Sequence, residues 1–351
     1  MSLRSEGSAE LGTAPGTAAP GTADPGTADP HELDALRTVL APLGRAERAE
    51  RLTGGMFATT FLVTFDGGTD AVVKTAPTHE ELLLTYEHDL VRSEAAVYRL
   101  LADVPGVPVP RVLLEDFTRT AWPGDVLAAS RLGGTPWGEC GLGPVDVDPR
   151  AARAQHELGA LMARVHTVTG EVFGYVGEGS PLRAPTWPAA FGLMVEAALR
   201  DAERWSVPMP AAQIRAALRR HHRALARVSV PVLVHTDLWP GNLFLDAGTG
   251  AVVGVIDPER ALWGDPLLEL VGADQLGRGP VPAGLLSGYA SAGPELDPTE
   301  PAAAARIELY RLHFSLIMQV EMVPRGYTGD WVDAHRATLE ANLRACLDAL
   351  A

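Results

Sequence analysis

The apolar positions after residue 30 follow two different periods, and the change between them divides the chain. Leu33, Leu36, Val39, Leu40 and Leu43 recur close to helical spacing, so a helix is expected from His31. Beyond Arg51 the spacing falls to two. Phe61, Val63 and Phe65 alternate with polar neighbours, and Asp66-Gly67-Gly68 separates them from a short run at Ala71–Lys74. That pattern predicts an antiparallel hairpin, with a further strand and the glycine pair Gly54 and Gly55 ahead of it. Helical spacing returns over residues 81–104, ELLLTYEHDLVRSEAAVYRLLADV, which Pro105 and Gly106 close. Further strands are expected at 111–115 and 125–130.

From about residue 150 helices dominate. Leu158, Leu161, Met162 and Val165 stand at i, i+3, i+4 and i+7, which is one buried helix face. A second helix is predicted over 211–228, with Ile214, Ala217, Leu218 and Leu225 on one side and a solvated basic face opposite. Residues 181–210, rich in Pro and Trp, show no clear period. Short apolar runs at 232–234, 243–245 and 252–256 read as strands, and helices resume after Asp265. The fold class implied is α+β, with an antiparallel-sheet lobe at 31–131 and a mainly helical lobe at 132–351. Residues 1–30 are set apart, because the repeat GTAPGTAAPGTADPGTADP at 12–30 has almost no large apolar side chain to bury and is expected to be disordered.

Composition narrows the partners. With 29 Lys and Arg against 44 Asp and Glu, the formal charge of -15 disfavours nucleic acid and anionic membrane surfaces. A polyanionic ligand would need a local cationic cradle and a metal ion. Cys140 and Cys346 are too few for a disulfide framework or a thiolate zinc site. No run of about 18 apolar residues and no signal-peptide core is present, which leads to the expectation of a cytoplasmic protein.

The strongest chemical signal is His235-Thr236-Asp237-Leu238-Trp239-Pro240-Gly241-Asn242, lodged between two predicted strands and followed by Asp257. In this order Asp237 can take the proton of an attacking hydroxyl, while Asn242 and Asp257 hold Mg²⁺ against the phosphates of ATP. The spacing, together with the later Gly264-Asp265-Pro266, resembles the aminoglycoside phosphotransferase and fructosamine kinase-like family of the protein kinase-like superfamily. Asp265 itself reads as the cap of a helix starting at Pro266.

The resemblance runs from about residue 34 to 345 and implies a two-lobed kinase-like fold binding ATP between the lobes. It assigns Lys74 to the nucleotide phosphates and Glu94 to the ion pair that fixes Lys74. It places Gly54 and Gly55 in the nucleotide-covering hairpin, and backbone groups from Ser130 to Leu132 against the adenine edge. His166 is given a structural role. The activity implied is transfer of the γ-phosphoryl group of ATP to a hydroxyl of a small molecule, such as an aminoglycoside-like antibiotic or an amino-sugar metabolite. The Asp-Leu-Trp and Asp-Pro steps lean towards fructosamine kinases, and a catalytically inactive nucleotide-binding regulator is the other alternative. Walker-type phosphate loops, HExxH and CxxC metal sites and GxSxG elbows are missing. Glu259, Glu269, Asp274, Glu321, Asp330 and Asp333, with Trp187, Trp205, Tyr327 and Trp331, suggest a C-terminal cleft for an acceptor bearing an amine.

Overall fold

The computed structural model describes residues 26–52 and 57–351. Its N-terminal lobe comprises α1 (Pro30–Leu40), β1 (Ala46–Leu52), β2 (Thr59–Phe65), β3 (Asp70–Thr75), α2 (Leu90–Leu101), β4 (Val112–Asp116) and β5 (Val126–Ser130). The five strands form one antiparallel sheet in the order β1-β2-β3-β5-β4. Alternation along β2 turns Phe61, Val63 and Phe65 to one face, where Leu36 and Leu40 of α1 cover them. α1 starts at a capping box: the Asp29 carboxylate accepts the Glu32 N–H at 2.9 Å and the Glu32 carboxylate accepts the Asp29 N–H at 3.0 Å.

Two expectations change here. Residues 26–28, expected to be disordered, are ordered, because Gly26–Ala28 runs along the open edge of β1. The Ala28 N–H donates to Ala49 O at 2.9 Å and the Arg51 N–H to Gly26 O at 3.0 Å, and Ala28 is buried. An edge strand offers free backbone partners that composition does not reveal. The expected disorder of residues 1–25 lies outside the described residues. The predicted helix over 81–104 shortens to α2. Leu84 and Tyr86 are drawn into the core of the other lobe, and the Thr85 N–H and hydroxyl bind the Asp201 carboxylate at 2.8 and 2.9 Å. Tertiary partners outweigh local helix propensity over this stretch.

The C-terminal lobe begins with β6 (Thr135–Pro136) and α3 (Pro149–Val165), followed by β7 (Phe173–Tyr175), β8 (Arg183–Ala184) and α4 (Trp187–Arg204). α4 is the helix that residues 181–210 concealed. Pro188 falls in its first turn, where the missing N–H loses no bond. The expected 211–228 helix breaks at His221 into α5 (Ala211–Arg220) and α6 (His222–Leu225). Then come β9 (Val232–Val234), β10 (Leu243–Leu245), β11 (Val252–Val255) and β12 (Leu262–Gly264), with helices α7 (Pro266–Gly272), α8 (Ala283–Ala292), α9 (Pro301–Glu321) and α10 (Trp331–Ala349).

Small sheets ordered β11-β10-β6 and β8-β7-β12-β9 hold the loops that carry the chemistry. Around them the helices share one large core, which extends to Val97 and Leu101 of α2 and so ties the lobes together. α3 and α8 meet backbone to backbone: a Cβ on Gly159 would lie 2.0 Å from Leu285 O. Trp187 is fully buried and its indole N–H donates to the Tyr310 hydroxyl at 2.8 Å, so it fills the core and is not an acceptor-facing aromatic. Among the described residues no helix is long and apolar enough to cross a membrane.

Candidate active site

The two catalytic segments emerge from strand ends and are bent by backbone that only neighbours can hold. Thr236 has φ 70° and Asp257 φ 67°, the left-handed region that β-branched and acidic residues enter at a cost of about 1–3 kcal/mol. Thr236 is held there from several sides. Its N–H and that of His235 donate to the fully buried Glu269 carboxylate at 2.9 and 2.7 Å, and its hydroxyl donates to Arg260 O at 3.1 Å. Its carbonyl lies against Gly272, where a Cβ would come within 2.4 Å. Glu269 thus reads as a support of the catalytic loop, and the acceptor role suggested for it from charge alone is withdrawn.

Asp237 follows immediately. Its Oδ2 accepts from Asn242 Nδ2 at 2.9 Å and its Oδ1 from Gln275 Nε2 at 2.8 Å. Burial pushes its pKa up to about 7; the Arg260 charge opposes this and the Asp257 charge adds to it. His235 Nδ1 accepts the Asp237 N–H at 3.3 Å and its Nε2 donates to Ile256 O at 3.1 Å, which joins this loop to the segment carrying Asp257.

Lys74 extends from β3 to three carboxylates, Glu94 in its own lobe and Asp257 and Glu259 in the other. Nζ donates to Glu94 at 2.6 Å, to Glu259 at 2.9 Å and to Asp257. A closed ring results, because the Asp257 N–H donates to the Tyr98 hydroxyl at 3.1 Å and that hydroxyl donates to Glu94 at 2.8 Å. Burial disfavours the charge on Lys74, but Asp257, Glu259 and Glu94 prevail and hold its pKa well above the ordinary lysine value. Burial, aided by Asp257 and opposed by Lys74, pushes Glu259 up to about 7.

Asn242 and Asp257 offer oxygen donors of the kind a hard divalent cation takes. The Asn242 amide donates to both Asp237 O and Asp237 Oδ2, each at 2.9 Å, which leaves Asn242 Oδ1 as an acceptor. Asp257 meets Lys74 through Oδ1, leaving Oδ2 without a hydrogen bond among the described residues. Oxygen donors of this kind suit Mg²⁺.

A family model described as the phosphotransferase enzyme family matches residues 48–304. The chain belongs to the phosphotransferase enzyme family. Solved structures of similar fold are kinases of small molecules, as the family membership makes this chain. A candidate fructosamine-3-kinase from Thermobifida fusca is 23% identical, with TM-score 0.62 over 90% of this chain and 98% of that one. A thermostable mutant of the aminoglycoside phosphotransferase APH(4)-Ia, bound to AMP-PNP and hygromycin B, is 18% identical, with TM-score 0.56 over 92% and 98%. The macrolide 2'-phosphotransferase MphH from Brachybacterium faecium is 21% identical, with TM-score 0.52 over 89% and 98%.

Of the residues expected at this phosphotransferase site, Lys74, Glu94 and Asp257 come together, as do Asp237 and Asn242. Gly54 and Gly55 lie outside the described residues. Leu132 packs on Gly254 of β11 at the junction of the lobes. Ser130 is less available: its N–H donates to Arg111 O at 2.8 Å and its Oγ accepts the Arg111 N–H at 2.9 Å. His166 is structural, with Nδ1 2.8 Å from the Tyr289 hydroxyl, and Asp265 caps α7 while accepting from Arg306 and Tyr310.

The proposed acidic acceptor cleft is largely dismantled. Glu259 binds Lys74, Asp274 accepts the Gly277 N–H, and Glu321 accepts from Tyr86 beside Arg325 and Arg260. Asp330 and Asp333 remain exposed at the start of α10, near the Tyr327–Trp331 ring pair at 5.3 Å. Sequence reasoning missed Gln275, Tyr98 and Arg260. Glu259, expected as an acceptor carboxylate, binds Lys74 instead.

Proposed function

We propose that the chain transfers the γ-phosphoryl group of ATP to a hydroxyl of a small molecule, with Asp237 as the base. The observation that carries this reading is the Asp237 carboxylate itself. It is half-buried, aimed by Gln275 and Asn242, and joined through His235 and Ile256 to the Lys74–Asp257 cluster. A base with a pKa near 7 combines a useful ionised fraction with real proton affinity.

In this reaction the acceptor O–H gives its proton to Asp237 while its oxygen forms a bond to the γ-phosphorus. The bond from that phosphorus to the β–γ bridging oxygen breaks in line, and ADP leaves with the electron pair. Lys74 exchanges some of its carboxylate contacts for phosphate oxygens, and Glu94 keeps it in place. Asn242 and Asp257 would hold Mg²⁺, which supplies charge neutralisation to the phosphates when bound. Arg131 and Leu132 would present backbone groups to the adenine. The acceptor classes that fit the resemblance are amino-sugar antibiotics and amino-sugar metabolites, and an amine on such a molecule would face Asp330 and Asp333.

A screen of hydroxyl compounds with ATP and Mg²⁺, read by coupled ADP release and product mass, tests the proposal. A product heavier by one phosphoryl group is expected. ADP release that never yields a phosphorylated acceptor would count against it.

A further inference from the structure

Arg260 follows Glu259 in the turn after Asp257, and its carbonyl accepts the hydroxyl of Thr236, the residue before Asp237. That bond sets Arg260 beside the base. Its side chain is only 13% exposed, yet its nearest anionic atom is Glu321 Oε2 at 3.5 Å, beyond hydrogen-bond range. The guanidinium carbon stands 5.5 Å from the Tyr86 ring centroid, and Tyr86 stacks on Tyr175. Glu321 is itself shared, since it accepts the Tyr86 hydroxyl at 3.1 Å and lies 3.2 Å from Arg325.

A guanidinium has five N–H donors in a planar fork. Here, among the described residues, none of the five makes a hydrogen bond. Among the described residues the sealed polar atoms that lack partners include none from Arg260, so its guanidinium nitrogens keep contact with solvent. A charged fork held by water alone gains charge-assisted, bidentate hydrogen bonds when an anionic ligand replaces that water.

We propose that Arg260 is an oxyanion-binding residue of the acceptor site, and that the acceptor carries a carboxylate or phosphate group near the hydroxyl that Asp237 deprotonates. This rests on the phosphotransferase reading above. The same fork could instead serve the phosphoryl group in transit, and the two sources separate experimentally. Tyr86 lies against the guanidinium, and Glu321, shared with Arg325, stands at one edge of the fork.

The test compares the wild type with Arg260→Gln and Arg260→Lys. Inorganic phosphate is titrated calorimetrically into each enzyme saturated with Mg²⁺ and AMP-PNP, which keeps the γ-phosphate position filled. Turnover of ATP without acceptor is measured alongside, with AMP-PNP affinity and melting temperature as controls. The expected result is a loss of about tenfold or more in phosphate affinity in Arg260→Gln and a smaller loss in Arg260→Lys, which keeps the charge without the fork. AMP-PNP affinity should stay within about twofold. Unchanged phosphate affinity, or no phosphate binding by the wild type, overturns the proposal. So does a fall confined to acceptor-free turnover, which would assign Arg260 to the transferring phosphoryl group. Failure of the wild type to bind AMP-PNP would instead strike the underlying phosphotransferase reading.

Discussion

Replacing Lys74 by Met keeps the apolar stem and removes the cation from a cluster whose three carboxylates depend on it. Oxygens of Glu94, Asp257 and Glu259 lie within 4.8 Å of one another. At an effective dielectric constant of about 20, two ionised carboxylates at that spacing repel by about 3.5 kcal/mol. The variant must either accept that repulsion or retain protons, and a loss of about 3–5 kcal/mol at pH 8 is typical of breaking a buried ion pair. The sign of the pH dependence follows. In the variant the folded-state pKa values lie above their unfolded values, so stability is held at low pH and lost as pH rises through the folded values. Melting curves of both proteins should nearly coincide at about pH 5 and separate by roughly 5–10 °C at pH 8. Added Mg²⁺ should narrow the gap at pH 8, because the carboxylates regain a cation. A gap that does not vary with pH would refute the reasoning.

Asp237 must be ionised to accept a proton, so turnover at saturating substrates should rise by about tenfold between pH 6 and pH 8; a flat profile would dismiss it as the base. Deleting residues 1–25 should leave the melting temperature unchanged. Extending the deletion to residue 30 should cost about 0.5–2 kcal/mol, since it removes the Asp29 cap and the Ala28 pairing, and equal melting curves for the two truncations would contradict this. Glu269→Ala leaves the His235 and Thr236 N–H groups buried without partners, and about 2–5 kcal/mol of stability and most turnover should be lost. Urea denaturation and an activity assay check it, and full activity would show that the Thr236 bend does not need Glu269.

Much of the fold was legible because its periods are local. The alternation of β2 and the apolar face of α3 need only the residues themselves. The errors arose where partners distant in sequence decide the backbone. Leu84 and Tyr86 leave a helical pattern for a core built by the other lobe, and Gly26–Ala28 takes order from the edge of β1. Trp187 looked like a ligand platform until Tyr310 appeared beside it. In the site, Lys74 meets Glu94 and Asp257, and Asp237 meets Asn242, as the family resemblance implies. Gln275 was not legible, because it reaches Asp237 from a segment with no motif, nor was Arg260, whose side-chain partners come from distant segments. Net charge misled for the same reason: Glu259, Glu269 and Glu321 all have internal partners that composition cannot display.

The most direct measurement is phosphoryl transfer by Asp237→Ala with an acceptor identified by product mass, compared with the wild type at saturating ATP and Mg²⁺. Turnover should fall by about 10² to 10⁴-fold while AMP-PNP affinity changes little, because a general base acts in the transition state and not in nucleotide binding. Near-wild-type turnover by this variant, with the same phosphorylated product, would contradict the assignment of the active site to Asp237.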